Sequence, residues 1–307
     1  MFSWKGYVVA VVHKEVSMNK KAIRNMGVFV FVVIISGWIG VFVDSVLTGQ
    51  PQGDSLGMGI WLVLPLLTAF VIILFSKVSW KDLGFKPNFK GNIKWYLASV
   101  LIFPVVTAIV LIIGAITNWI DLSALNFRPF ILAFCSTLLI NFIIDIFEET
   151  AWRGYLTSQL VKLNLNDWKL YLIVGCVWAA WHIPYYLVFL PEADIQAVMP
   201  VSRAVYVFVS FITFLCWTVM FTELFRVTKS VWPCVILHMV EDSLINLLVI
   251  SGYISIAAGK EILVSPINGI ITSILYVAVG LGIRAYRIRA NQKLLAKGNE
   301  QMSIVVV

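Results

Sequence analysis

An all-α, polytopic membrane helical bundle is the fold class this sequence predicts, and three observations carry the prediction. The 307-residue chain is 60% hydrophobic and only 13% charged, with a mean hydropathy of +0.92. Soluble proteins carry about a quarter charged residues, so this chain has too little polar surface to cover a core in water. Its apolar residues are gathered into eight runs, each close to the roughly 20 residues needed to cross the hydrocarbon of a bilayer. Its basic residues sit at the edges of those runs, mostly in alternate loops.

In chain order, residues 1–26 are expected to form a cytosolic flank. The opening MFSWKGYVVAVVHKEVS has an apolar run too short to span and no small-residue cleavage site, so it does not read as a signal peptide. Met18 opens MNKKAIRNM, a basic stretch directly before the first long run, which makes Met18 the expected natural start and the residues before it an upstream extension. Mass spectrometry of the native N-terminus distinguishes Met18 from Met1. The membrane domain then covers 27–285, with spans near 27–48, 57–76, 95–117, 129–161, 169–190, 204–226, 230–252 and 265–284. The fourth is longer than a bilayer requires, as expected of a tilted helix or one that emerges near Lys162. Between the second and third, KVSWKDLGFKPNFKGNIK reads as an interfacial amphipathic segment. Residues 286–307 form a basic cytosolic tail.

Orientation follows from the loops. Lys20, Lys21 and Arg24 precede the first span, Lys77 to Lys94 supply five lysines to the second loop, and Lys162, Lys169, Arg226, Lys229 and the tail from Arg284 to Lys297 fall on the same side. The opposite loops hold Arg128, Arg203 and Lys260. The positive-inside rule therefore predicts a multi-pass protein of the cell membrane with both termini in the cytosol. The same distribution explains the net charge of +7 without nucleic acid, since no basic patch with interleaved stacking aromatics is present. Four cysteines in apolar runs, without CxxC spacing, read as small buried hydrophobes rather than disulfides or zinc ligands.

This topology buries ionisable groups, and an ionisable group in a span is a functional hypothesis by default. They are Asp145, Glu148, Glu149 and Arg153 on span four, His182 on span five, Glu223 near the end of span six, and His238, Glu241 and Asp242 on span seven. Glu149 and Arg153, four apart, share a helix face and are expected to pair. Glu148 lies about 100° round the helix and is left without a local partner, the state expected of a general base. The bland alternative is that both glutamates brace helices through Arg153.

His182 sits in VWAAWHIPYY, before a proline that is expected to bend the helix. His238 and Asp242 are four apart and share a face, with Asn246 one turn further and Glu241 off that face; a histidine so placed can donate hydrogen bonds to an oxyanion. Counted at about 1.5 Å per residue, Glu148, His182 and His238 lie on the order of 10–20 Å into the bilayer. They are expected to meet in one cavity open to the cytosol. Each histidine alone also fits a helix-bridging hydrogen bond. Glu223 is expected at the interface, without a role.

Three segments together resemble a known family. EETAWRGYL, from Glu148, is similar to the EExxxR motif of the CAAX protease and bacteriocin-processing family, the glutamate intramembrane proteases also called the Abi family. WAAWHIP resembles its second motif, an aromatic residue four before a histidine, and VTKSVWPCVILHMVED its third, a histidine followed four residues later by asparagine. DLGF at Asp82–Phe85 is a weaker match to the segment before the core. The motif core is placed at 140–246. The resemblance implies an eight-helix bundle and peptide hydrolysis without a covalent intermediate. It implies Glu148 as the base activating water, His182 assisting it, His238 and position 242 stabilising the oxyanion, and Arg153 supporting Glu148 and Glu149. No cofactor is implied. Asp242 departs from the pattern: an ionised aspartate repels an oxyanion, so it is either protonated or orients His238.

Other readings of the same residues stay open. Glu148, His182 and His238 suit a catalytic zinc with an open position, although HExxH is absent. No GxSxG is present for a serine nucleophile. A non-proteolytic immunity or scaffold protein and a proton-coupled transporter would also bury ionisable groups. The partners expected are the lipid bilayer and a membrane-associated peptide or protein: CAAX-type proteins, bacteriocin leaders or signal peptides.

Overall fold

The computed structural model describes the backbone of residues 4–76 and 78–305, and the side chains of 20–76 and 78–296. The contest between Met1 and Met18 and the contributions of Lys77 and Lys297 lie outside the described residues. Among those described, eight helices are long and apolar enough to cross a membrane: Lys20–Val46, Leu56–Phe75, Ile93–Ile116, Phe127–Val161, Asp167–Phe189, Arg203–Thr228, Trp232–Ile250 and Ile270–Ala296. These are spans one to eight. The first belongs to a helix running Trp4–Val46 and the last to one running Ile270–Val305. Span eight starts later than residue 265 because Pro266 follows Ser265, whose backbone is extended (φ −59°, ψ 128°) after the short helix Glu261–Val264.

Outward-facing side chains are largely apolar, among them Phe42, Phe75, Ile116, Leu139 and Phe208, as a lipid-facing surface requires. Spans one and two approach closely where Gly40 faces Gly57. A Cβ on Gly40 would run into the Gly57 carbonyl, so the small residue is what permits contact there. Asp44 locks the crossing by accepting the Gly57 amide at 2.8 Å. A two-residue antiparallel bridge, Ile120–Asp121 with Ser255–Ile256, ties two loops at the end of the bundle opposite the basic loops.

The basic end is densely tied. Asp167 accepts from Arg226 (2.6 Å), Arg284 (2.7 Å) and Arg287 (2.9 Å). Glu223 accepts from Arg226 (2.8 Å), Arg287 (2.5 Å) and the Tyr171 hydroxyl (2.6 Å). Glu223 is therefore not an idle interfacial group. It is fully buried and joins spans five, six and eight.

Most of the segment expected to lie on the interface is exposed, but Leu83 and Gly84 at its centre are buried against the bundle. Trp80–Leu83 forms one 3₁₀ turn, and Leu83 is buried. The Gly84 carbonyl accepts the Val231 amide (2.9 Å), the Phe85 carbonyl accepts Trp232 Nε1 (2.7 Å), and Asn88 donates to the Lys229 carbonyl (3.1 Å). DLGF thus braces the turn between spans six and seven. Of the cysteines, all free, only Cys234 is buried; Cys135 is exposed on a lipid-facing stretch of span four.

Candidate active site

Each of the three motif-bearing spans changes from α- to π-helix within its motif or directly after it. Span four does so at Thr150–Thr157, after Glu148 and Glu149; span five at Tyr185–Phe189, after His182 and Pro184; span seven at Asp242–Asn246, after His238 and Glu241. Pro184 supplies a cause on span five, since it has no N–H to give the ladder. π-turns widen a helix and recur at functional sites, and here they set the rotation of the side chains that follow.

The two glutamates part as the helix phase requires. Glu149 and Arg153 are wholly buried and paired, Nη1 to Oε1 at 2.8 Å. The guanidinium is held between the Trp178 ring, 4.2 Å from its centroid, and the Phe221 ring, at 4.3 Å, a cation–π cradle that fixes its plane. His238 Nδ1 lies 3.0 Å from the same Glu149 oxygen. With the carboxylate accepting, Nδ1 carries its hydrogen and Nε2 is the ring atom left for other chemistry. Arg153, Glu149 and His238 thus form a relay from span four to span seven.

Glu148 turns the other way, into a cavity of about 470 Å³ whose wall also includes His182, His238, Glu241 and Asp242. Its Oε2 accepts from Trp152 Nε1 at 3.3 Å, a neutral partner only. His182 Nδ1 donates to the Trp178 carbonyl at 3.0 Å, because a carbonyl can only accept. That fixes the tautomer and leaves Nε2 of the neutral ring as an acceptor. The ring is stacked on Phe214 at 4.1 Å. Trp61 and Trp181 clamp spans two and five behind it, each indole donating to the other's carbonyl at 2.8 and 3.2 Å.

Of the six expected site residues, the cavity wall brings together Glu148, His182, His238 and Asp242, and Glu149 and Arg153 stand behind it. Asp242 accepts from Asn246 Nδ2 at 3.1 Å. Two residues belong here that sequence reasoning left without a role. Glu241 lines the cavity, its Oε2 3.9 Å from His238 Nε2. It is not off the histidine's face: a step of three residues leaves it about 60° away, on the opposite flank from Asp242. Asp145, wholly buried, has among the described residues no hydrogen-bond partner on either oxygen and lies 3.6 Å from His238 Nδ1. Its position one helical turn before Glu149 was the available signal. Among the described residues, the group that brings ligand atoms within 4.8 Å of one another is Asp145, His238 and Asp242. Of the expected zinc set, only His238 belongs to it.

The cavity opens at the other end from the one expected. Met58, Leu190, Asp194, Ile250 and Ser251 line it, and all lie at or beyond the span ends remote from the basic loops. Toward the basic loops the bundle is filled by Trp152, Tyr155, Leu156 and Leu160 of span four and Phe221 and Phe225 of span six, all buried. Counting residues along a helix sets depth, but it does not say on which side of the site the large side chains pack.

Residues 128–244 match the family described as type II CAAX prenyl endopeptidase Rce1-like. That Rce1-like segment begins at the start of span four and ends within the π-turn of span seven, so it contains all three motifs and Asp145, Glu148, Glu149, Arg153, His182, His238, Glu241 and Asp242. Comparison with curated proteins finds no match for the chain.

Proposed function

We propose that this protein is an intramembrane endopeptidase that hydrolyses membrane-associated peptide or protein segments with a glutamate-activated water. The observation that carries the reading is the convergence of Glu148, His182 and His238 on one cavity inside the bundle, within the Rce1-like segment. Glu148 takes a proton from water as the oxygen attacks the scissile carbonyl. His182 Nε2, an acceptor by its tautomer, orients that water. The tetrahedral oxyanion faces His238, whose Nδ1 is held by Glu149; when both ring nitrogens carry hydrogen, Nε2 can donate to it. Glu148 then returns the proton to the leaving amine, and no covalent intermediate forms. Arg153 keeps the Glu149 carboxylate aligned. Asp242, held by Asn246, orients the oxyanion wall. No metal is required by this scheme.

The distribution of its basic loops supports a location in the cell membrane with both termini cytosolic. Peptide maturation or immunity suits such a chain, among the described residues essentially a membrane bundle, better than prenyl-protein processing. The test compares membrane peptides from cells expressing wild type and Glu148→Ala by proteomics. Cleavage products present only with the wild type are expected, and identical patterns would refute the peptidase. Hydrolysis that persists in chelator separates this scheme from a zinc-dependent one.

A further inference from the structure

Two properties of the cavity are not used by the hydrolytic scheme. One is its charge. Glu148, Asp194, Glu241 and Asp242 line it, His182 and His238 are the basic groups on the wall, and among the described residues no lysine or arginine lines it. The arginines nearest to it are engaged elsewhere: Arg153 is paired with Glu149 and covered by two aromatic rings. Arg203 pairs with Glu192 at 2.8 Å and donates to the Tyr186 and Leu190 carbonyls at 2.6 and 2.9 Å. The other property is the direction of the mouth, where Asp194 and Ser251 stand at the end away from the basic loops.

We propose that the site takes an extended peptide segment bearing lysine or arginine, entering from the end of the bundle opposite the basic loops. The proposal rests on the peptidase reading and narrows its substrate. With the basic loops cytosolic, the segment is presented from the non-cytosolic face. Walls of low dielectric focus the field of the carboxyl groups along the cavity, which concentrates cations and repels anions. Trp61, Tyr185, Tyr186, Tyr206, Phe214 and Trp217 supply aromatic wall, against which an ammonium or guanidinium group gains cation–π attraction. Glu148, 8% exposed, has one oxygen on Trp152 and, among the described residues, no partner for the other. A substrate ending in a free carboxylate beside the scissile bond would meet Glu241 and Asp242 on either flank of His238 and, among the described residues, no lysine or arginine of the wall to clamp it. Internal segments therefore fit better than a short C-terminal tail.

The test uses the full chain carrying Glu148→Gln, which keeps three of the four cavity carboxyl groups, in nanodiscs of zwitterionic phosphatidylcholine. Three fluorescent, N-palmitoylated peptides are compared: one with two lysines and an amidated C-terminus, the same peptide with two glutamates, and the lysine peptide with a free C-terminal carboxylate. The amidated lysine peptide is expected to bind at least tenfold more tightly than the glutamate peptide, and Asp194→Asn to reduce that preference at least threefold. A photo-crosslinker on the lysine peptide is expected to label the region of Met58, Asp194 and Ser251. Equal binding of the lysine and glutamate peptides, absence of binding, a gain from the free carboxylate, or crosslinks at Lys81 and Lys162 would each overturn the proposal. Because binding is read on a variant that does not hydrolyse, these outcomes stand apart from the proteomic test of the peptidase itself.

Discussion

Two clusters of charge lie inside this bundle, and they are built on opposite principles. At the basic end, Asp167 and Glu223 meet Arg226, Arg284 and Arg287, and each carboxylate accepts from at least two arginines. In the middle, Asp145, Glu148, Glu149, Glu241 and Asp242 gather around one arginine and His238, with His182 across the cavity. There, among the described residues, only Glu149 has a guanidinium partner. A buried carboxylate without a cation is costly, so one that persists in a span is retained for something other than stability. The paired cluster clamps spans five, six and eight; the unpaired one surrounds a cavity. The difference separates structural from chemical charge without reference to any relative.

The comparison is broken most directly at Glu148. Glu148→Gln keeps the shape and the Trp152 contact while removing the base, so hydrolysis of membrane peptides is expected to fall by about 10³-fold or more with the melting temperature unchanged. A variant that melts early instead would put Glu148 with the structural charges. Arg153→Met tests the boundary between the clusters. It leaves Glu149 buried without its cation, and breaking a buried pair from one side costs about 3–5 kcal/mol, to be read from denaturation in detergent. Retained stability there would mean that His238 alone suffices for Glu149.

Much of this division was legible in the sequence, for physical reasons. Span length is set by the bilayer, so the eight runs of apolar residues located the eight helices. Helix phase turned Glu149 toward Arg153 and Glu148 away from both, because residues four apart stack and adjacent ones do not. What escaped the sequence depends on neighbours remote in the chain. Glu223 takes partners from spans five and eight as well as its own, and Asp145 meets His238 only through packing of span four on span seven. Glu241, three residues after His238, sits on the flank of its helix face opposite Asp242, and lines the cavity as well. The closed end of the cavity is made by Trp152, Tyr155 and Phe225, which as letters look like any other membrane-core residues.

Within the paired cluster, Glu223→Gln sharpens the contrast from the other side. It weakens charge-assisted bonds from two arginines and a tyrosine, each worth about 1.5–3 kcal/mol. A lower melting temperature is expected while activity per folded molecule stays at the wild-type level; loss of turnover in folded protein would give the basic end a part in the chemistry. Asp242→Asn acts in the opposite sense. The amide oxygen can still accept from Asn246, and its NH₂ group becomes a donor toward the oxyanion, where a positioned donor is worth up to about 10²-fold or more. With His238 already serving, a rise in turnover of about tenfold or less is expected, with no change in stability. A fall would show that the carboxylate itself orients His238.

The smallest effect belongs to the turn that joins the two kinds of region. Lys229 ends span six in the left-handed conformation (φ 53°), its amide bonded to the Phe225 carbonyl at 2.8 Å, and DLGF docks on the same turn. A side chain in that conformation costs on the order of 1 kcal/mol, and glycine avoids the cost at this position after a helix. Lys229→Gly keeps every backbone bond at the turn, including the carbonyl that receives Asn88, and removes a cation beside an arginine-rich cluster. Its stability is expected to rise by about 1 kcal/mol or less, seen as a higher melting temperature with unaltered hydrolysis. A drop instead would mean that the Lys229 side chain is needed where it stands, and that the paired cluster extends one residue beyond span six.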